Sequence, residues 1–206
     1  MISDQREEAV RAFVAVELPE DARLVLGGLV EALRRVSVDR LRLVNPEGIH
    51  LTLKFLGNVA VSRLLQVTAA MDQAAATVGP MEVELSGLGG FPNLGSPRGL
   101  WVGIEGDTVQ LRALAVALEE RLVTAGFPAE ARRFAPHLTL GRIRDGATAR
   151  ERRQAGETLQ GLVGRERVSL SVTGISLMQS ELRPEGARYT RLHHASLGGG
   201  YGTGPG

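Results

Sequence analysis

Apolar and polar residues alternate with a period of two in several short runs and with a helical period in the stretches between them, which predicts an α+β chain. Arg11 to Glu17 reads as a short apolar strand. Leu18-Pro19-Glu20-Asp21 opens a helix, with proline in the first turn and acids at the positive end of the dipole. Leu26, Leu29, Val30 and Leu33 form its apolar stripe, and it should end near Val36. Leu41 to Val44 and Ile49 to Leu56 are strands on either side of the turn Asn45-Pro46-Glu47-Gly48. A second helix has the stripe Val61, Leu64, Leu65, Met71, Ala75 and Val78 and is stopped by Gly79-Pro80. Met81 to Leu88 alternates as a half-buried strand, and Gly89 to Gly99 is a long glycine-rich loop of the kind that carries binding groups.

Leu100 to Glu105 is a strand, and Asp107 to Ala125 a helix with Leu111, Leu114, Leu118 and Leu122 on one side and Gly126 as its cap. Pro136 to Ile143 is a strand, and Asp145 to Gly164 a poor helix broken near Gly156. Val168, Leu170 and Val172 alternate up to Gly174, after which Ile175 and Leu177 resume on the other parity, as a bulge at Gly174 would produce. Ala187 to Leu197 is the last strand. Residues 1–9 are polar and 198–206 glycine-rich, both expected to be disordered, which leaves 10–197 as a single domain.

Within this pattern one unit occurs twice. His50-Leu-Thr-Leu53 returns letter for letter as His137-Leu-Thr-Leu140. The setting is repeated too: the strand beginning at Phe13 precedes His50 by 37 residues (13 to 50), and the one beginning at Trp101 precedes His137 by 36 (101 to 137). Alternation puts His50 and Thr52 on one face of their strand and Leu51 and Leu53 on the other, with the same division at His137 and Thr139. If each strand buries its leucines, each presents an imidazole and a hydroxyl on its free face. Two histidines facing a shared space suggest an acid and a base.

Composition narrows the chemistry further. With 206 residues and 43% hydrophobic content the chain can pack a core without disulfides, and with no cysteine it offers neither a thiolate nucleophile nor a cysteine zinc site. The N-terminus lacks an apolar signal region and no run reaches membrane-spanning length, so a soluble, cytoplasmic protein without a membrane partner is expected. A net charge of +1 excludes a protein that grips many phosphates, leaving few or local contacts. Of the 24 basic side chains only Lys54 is lysine, on the parity of His50 and Thr52.

The paired His-x-Thr-Leu motifs, together with Arg11 to Pro19, Trp101 to Glu105, Met178 to Leu182 and Ala187 to Thr190, resemble the RNA 2',3'-cyclic phosphodiesterases of bacteria and archaea. These are also called 2'-5' RNA ligases and belong to the two-histidine (2H) phosphoesterase superfamily. The likeness runs from about Arg11 to Leu197. It implies a bilobal, pseudo-two-fold α+β fold with an antiparallel sheet in each lobe and a central cleft. It also implies hydrolysis of RNA 2',3'-cyclic phosphate ends, or related cyclic nucleotides, to the 2'-phosphate, by a monomer without metal or cofactor. His50 would be the proton donor and His137 the proton acceptor, while Thr52, Thr139 and Arg142 would bind phosphate. Leu43 and Asn45 depart from the tryptophan and arginine common in the family.

Hydrolysis of a cyclic phosphodiester needs a proton removed from water on one side of phosphorus and a proton given to the leaving ribose oxygen on the other, and two imidazoles can supply both. Their environments must then differ, one neutral and one charged. Arg142 has the opposite parity to His137 and reaches the cleft only if its strand ends or bulges near Gly141. Lys54, Phe91 and Arg98 are further candidates for substrate binding, against solvation for Lys54 and loop packing for the other two. His193 and His194 read as surface residues. Ligation to a 2'-5' bond at the same site, and an RNA-end binding module without turnover, are the alternative functions.

Overall fold

The computed structural model describes residues 8–35, 38–183 and 186–198. In chain order the elements are β1 (Ala9–Val16), α1 (Glu20–Arg34), β2 (Leu41–Leu43), β3 (Leu51–Ala60), α2 (Leu64–Ala75), β4 (Met81–Phe91) and β5 (Gly99–Gly106). They continue with α3 (Thr108–Thr124), β6 (His137–Ile143), α4 (Ala149–Gln160), β7 (Val168–Val172), β8 (Gly174–Arg183) and β9 (Gly186–Ser196). The strands form two sheets, antiparallel throughout, in the orders β3-β1-β8-β9 and β2-β6-β5-β4-β7. Each motif strand lies beside the strand that leads into its repeat, β3 against β1 and β6 against β5. The repeat in the sequence is therefore a repeat in space.

One hydrophobic cluster serves both sheets. It takes Val14, Val16, Leu51 and Leu177 from the first, Leu85, Val102, Leu138 and Leu140 from the second, and the helix residues Leu26, Leu33, Met71, Leu114 and Leu118. α1, which follows a strand of the first sheet, packs against β6 and β7 of the second, while α2 packs on β8 and β9 and α3 lies beside α2 against β3 and β4. β3 also approaches β6, with Cα atoms within 8 Å, so the two motif strands adjoin where the sheets meet.

Several expectations are corrected. The parity change at Gly174 is not a bulge: β7 belongs to the second sheet and β8 to the first, so the chain changes sheets there. α4 is not broken at Gly156. Thr148 and Glu151 form a reciprocal capping box at its start, and Gly156 sits where a Cβ would overlap the backbone carbonyl of Leu94, so glycine serves a close approach. Leu65 is 80% exposed, and the buried stripe of α2 runs through Val67, Ala70, Met71 and Ala74 instead. β4 continues to Phe91, leaving a loop shorter than expected. The expected end of α1 at Val36, residues 1–7 and residues 199–206 fall outside the described residues.

Candidate active site

His50 is held by the turn that precedes β3. Asn45 accepts a hydrogen bond from the backbone N–H of Glu47 and caps the single helical turn Pro46–Gly48, which delivers His50 to the start of the strand. In β1, Ala12, Val14 and Val16 point into the core, so Phe13 and Ala15 lie on the opposite face. The His50 ring stacks on Phe13 at 4.4 Å between centroids and meets Tyr189 edge-on at 5.1 Å, which fixes the imidazole on that same open face. Gly48 makes room for the tyrosine, since a Cβ there would stand 2.8 Å from the Tyr189 ring. Burial holds the His50 pKa below the ordinary histidine value, opposed by a hydrogen bond with the Gly48 backbone.

His137 opens β6 and is tethered in a similar way, its Nδ1 lying 2.8 Å from the carbonyl oxygen of Ala135, two residues back. A carbonyl can only accept, so Nδ1 carries the proton and the neutral ring keeps a lone pair on Nε2. Phe91 meets this ring edge-on at 5.2 Å and lies 5.4 Å from Trp101, which is paired with Thr139 across β5 and β6. Leu138 and Leu140 are fully buried, placing His137 and Thr139 on the other face as alternation requires. The side chains of Thr52 and Thr139 make no hydrogen bond to other described residues.

Two bulges redistribute the remaining candidates. In β3, Val14 pairs with Lys54 and Ala15 with Thr52, so Leu53 is skipped and the parity reverses after it. Lys54 consequently turns to the core side, where it is 5% exposed, bonds the Pro128 carbonyl at 2.7 Å and pairs with Glu119 of α3 at 2.6 Å. It is neither solvated nor on the face of His50, and its partners are structural. In β6 the register skips Leu140, and the same reversal brings Arg142 onto the face of His137 and Thr139. The bulge lies one residue before Gly141. Arg98 is exposed in the loop ahead of β5, its backbone carbonyl accepting from Ile143. Phe91 touches the His137 ring itself.

His193 and His194 are not simply surface residues. His193 bonds Asp72 of α2 at 2.8 Å, and His194 lies 3.0 Å from the hydroxyl of buried Ser176, which also bonds Glu17. Arg191 completes that group by pairing with Glu17 at 3.1 Å. Of the aromatic residues, the sequence singles out only Phe91 as a candidate for the site. Only eight are present (five Phe, two Tyr, one Trp), yet Phe13 and Tyr189 contact one imidazole, with Phe55 behind Phe13, and Phe91 contacts the other, with Trp101 behind it. That scarcity was the available signal. A surface depression of about 500 Å³ on α4, lined by Arg150, Arg153, Gln154 and Glu157, includes neither histidine.

Two antiparallel sheets joined at adjoining His-x-Thr strands, each with its imidazole off the core, define the fold of a two-histidine phosphoesterase. The family model of the 2'-5' RNA ligase superfamily matches residues 19–183. An RNA 2',3'-cyclic phosphodiesterase of Methanothermobacter thermautotrophicus is 34% identical over 89% of this chain and 96% of its own. A crystal structure from Thermus thermophilus superimposes with a TM-score of 0.70 and 32% identity over 93% of this chain and all of that one (100%). Escherichia coli LigT complexed with 3'-AMP gives 0.69 and 26% over 92% and 99%. The chain belongs to the 2'-5' RNA ligase superfamily.

Proposed function

We propose that the protein hydrolyses RNA ends carrying a 2',3'-cyclic phosphate to the 2'-phosphomonoester, with His50 as proton donor and His137 as proton acceptor. The observation that carries this reading is the placement of two imidazoles, each with a threonine hydroxyl beside it, off the core on strands that adjoin between the sheets. The name borne by the Methanothermobacter relative, and the nucleoside monophosphate bound to LigT, support the substrate class.

In the reaction, Nε2 of His137 takes a proton from water as the oxygen attacks phosphorus. The bond from phosphorus to the 3'-oxygen breaks, and His50 gives that oxygen a proton, leaving the phosphate on the 2'-position. Each proton transfer contributes ~10² to 10⁴ in rate. The hydroxyls of Thr52 and Thr139 and the guanidinium of Arg142 donate to the non-bridging oxygens, where charge builds up. Burial favours neutral His50 in the free protein, so the donor must be charged on binding. The anionic phosphate supplies that bias, because an adjacent negative charge stabilises the imidazolium. The two side chains complete the proton inventory without metal or cofactor.

The superfamily's description favours a second reaction at the same site, in which an RNA 5'-hydroxyl replaces water and a 2'-5' bond forms. Excess water favours hydrolysis. Incubating RNA ending in a 2',3'-cyclic phosphate with the protein, with and without a chelator, tests the proposal. A 2'-phosphate product that forms equally in both arms is expected. A 3'-phosphate, a joined product alone, or loss of activity with chelator would contradict it.

A further inference from the structure

Arg142 is one of two arginines that the second sheet sets side by side. β2 pairs with β6 so that Arg42 stands directly opposite Arg142, and opposed residues of an antiparallel pair share a face. Leu41 and Leu43 pack against the core, so Arg42 lies on the other face, as Arg142 does after the Leu140 bulge. On its other side Arg142 faces Gly99, which has no side chain. Both arginines are exposed, and neither guanidinium has a hydrogen bond or ion pair with another described residue.

Like charges directly opposite one another destabilise a strand pair, and β2 is only three residues long. Charged side chains do protect edge strands, and β2 is an edge. An acid would serve that purpose equally well and would also attract Arg142. An anion lying between or along the pair would turn the repulsion of two arginines into a favourable contact. Along the open face of β6 come His137, Thr139 and Arg142, and Arg42 stands beside Arg142 on the neighbouring strand β2. Phosphate-binding groups thus continue one step past the reacting centre.

We propose that Arg42, standing beside Arg142, forms a second phosphate subsite, which takes the phosphodiester next to the cyclic end while Arg142 stays on the cyclic phosphate, and makes the protein select RNA chains over cyclic mononucleotides. The inference rests on the reaction proposed above. It reconciles a near-neutral chain with a nucleic-acid substrate, since one or two local contacts suffice.

The test compares kcat/KM for an oligonucleotide ending in a 2',3'-cyclic phosphate with that for a nucleoside 2',3'-cyclic phosphate, in the wild-type protein and in Arg42→Ala. The ratio should fall about tenfold in the variant, and the salt slope for the oligonucleotide should shrink by roughly 0.7, the share of one single-strand phosphate contact. An unchanged ratio would overturn the subsite. Anisotropy with a labelled oligonucleotide ending in a 2'-phosphate reads the same contact without turnover. If the wild type hydrolyses neither substrate, the reaction fails while binding still decides the subsite: about tenfold weaker binding by Arg42→Ala upholds it, and an unchanged Kd rejects it.

Discussion

At the scale of single residues, the environment of His50 does the most to set the chemistry. Its ring is packed between Phe13 and Tyr189, and the resulting loss of solvation works against the charged form a proton donor needs. The sign is definite. In an NMR titration of the free protein, the His50 ring should protonate only below the ordinary histidine midpoint of 6.5. Saturation with a nucleoside 2'-phosphate should move that midpoint upward; a downward or absent movement would separate the phosphate from His50. Gly48→Ala tests the positioning of the ring, because a Cβ 2.8 Å from the Tyr189 ring must displace that ring or the backbone that bonds His50. A small displacement of a reacting group costs up to about 10²-fold, so kcat should fall by roughly ten- to a hundredfold with a modest change in Tm.

At the scale of elements, the periodic residues were legible and the interruptions were not. The leucines of α3 and the motif leucines Leu138 and Leu140 were assigned to the core and are buried, because an unbroken period determines which side faces in. The same rule puts Lys54 on the wrong face, since nothing in Leu53-Lys54-Phe55 announces that Leu53 will be skipped in the ladder. The bulge turns Lys54 into a tie between β3 and α3. Glu119, its partner, also accepts from the backbone N–H of Glu130 at 2.6 Å, fixing the segment ahead of β6. Removing one member of a buried pair leaves the other uncompensated, which costs about 3–5 kcal/mol. Lys54→Ala should therefore lower the unfolding free energy in denaturant titration by about that amount, reduced to the extent that Glu119 is 28% exposed. Retention of wild-type stability would show the tie to be inert. Gly156→Ala makes the converse point: the gain of about 1 kcal/mol in helix propensity should be outweighed by the overlap with Leu94, and the variant should melt at lower temperature.

At the scale of the whole molecule, the sheets are assembled from distant segments. The first takes β1 and β3 from near the start and β8 and β9 from the end, so the duplication seen in the sequence does not divide the chain into two independent halves. Pairing of that kind has no local signature, which is why the passage from β7 to β8 looked like a bulge. Truncation after Thr173 would strip β8 from β1 and remove Tyr189 from His50, and it should yield a chain without cooperative unfolding. Both sheets must form before the two imidazoles can work together. The most direct measurement of that joint role is the kcat for release of the 2'-phosphate in His50→Ala, in His137→Ala and in the double variant, each with its fold verified by circular dichroism. Groups that act as a unit give grossly non-additive losses, so each single change should cost at least ~10² in kcat and the double change little more. Retention of near-normal turnover in either single variant would contradict the account.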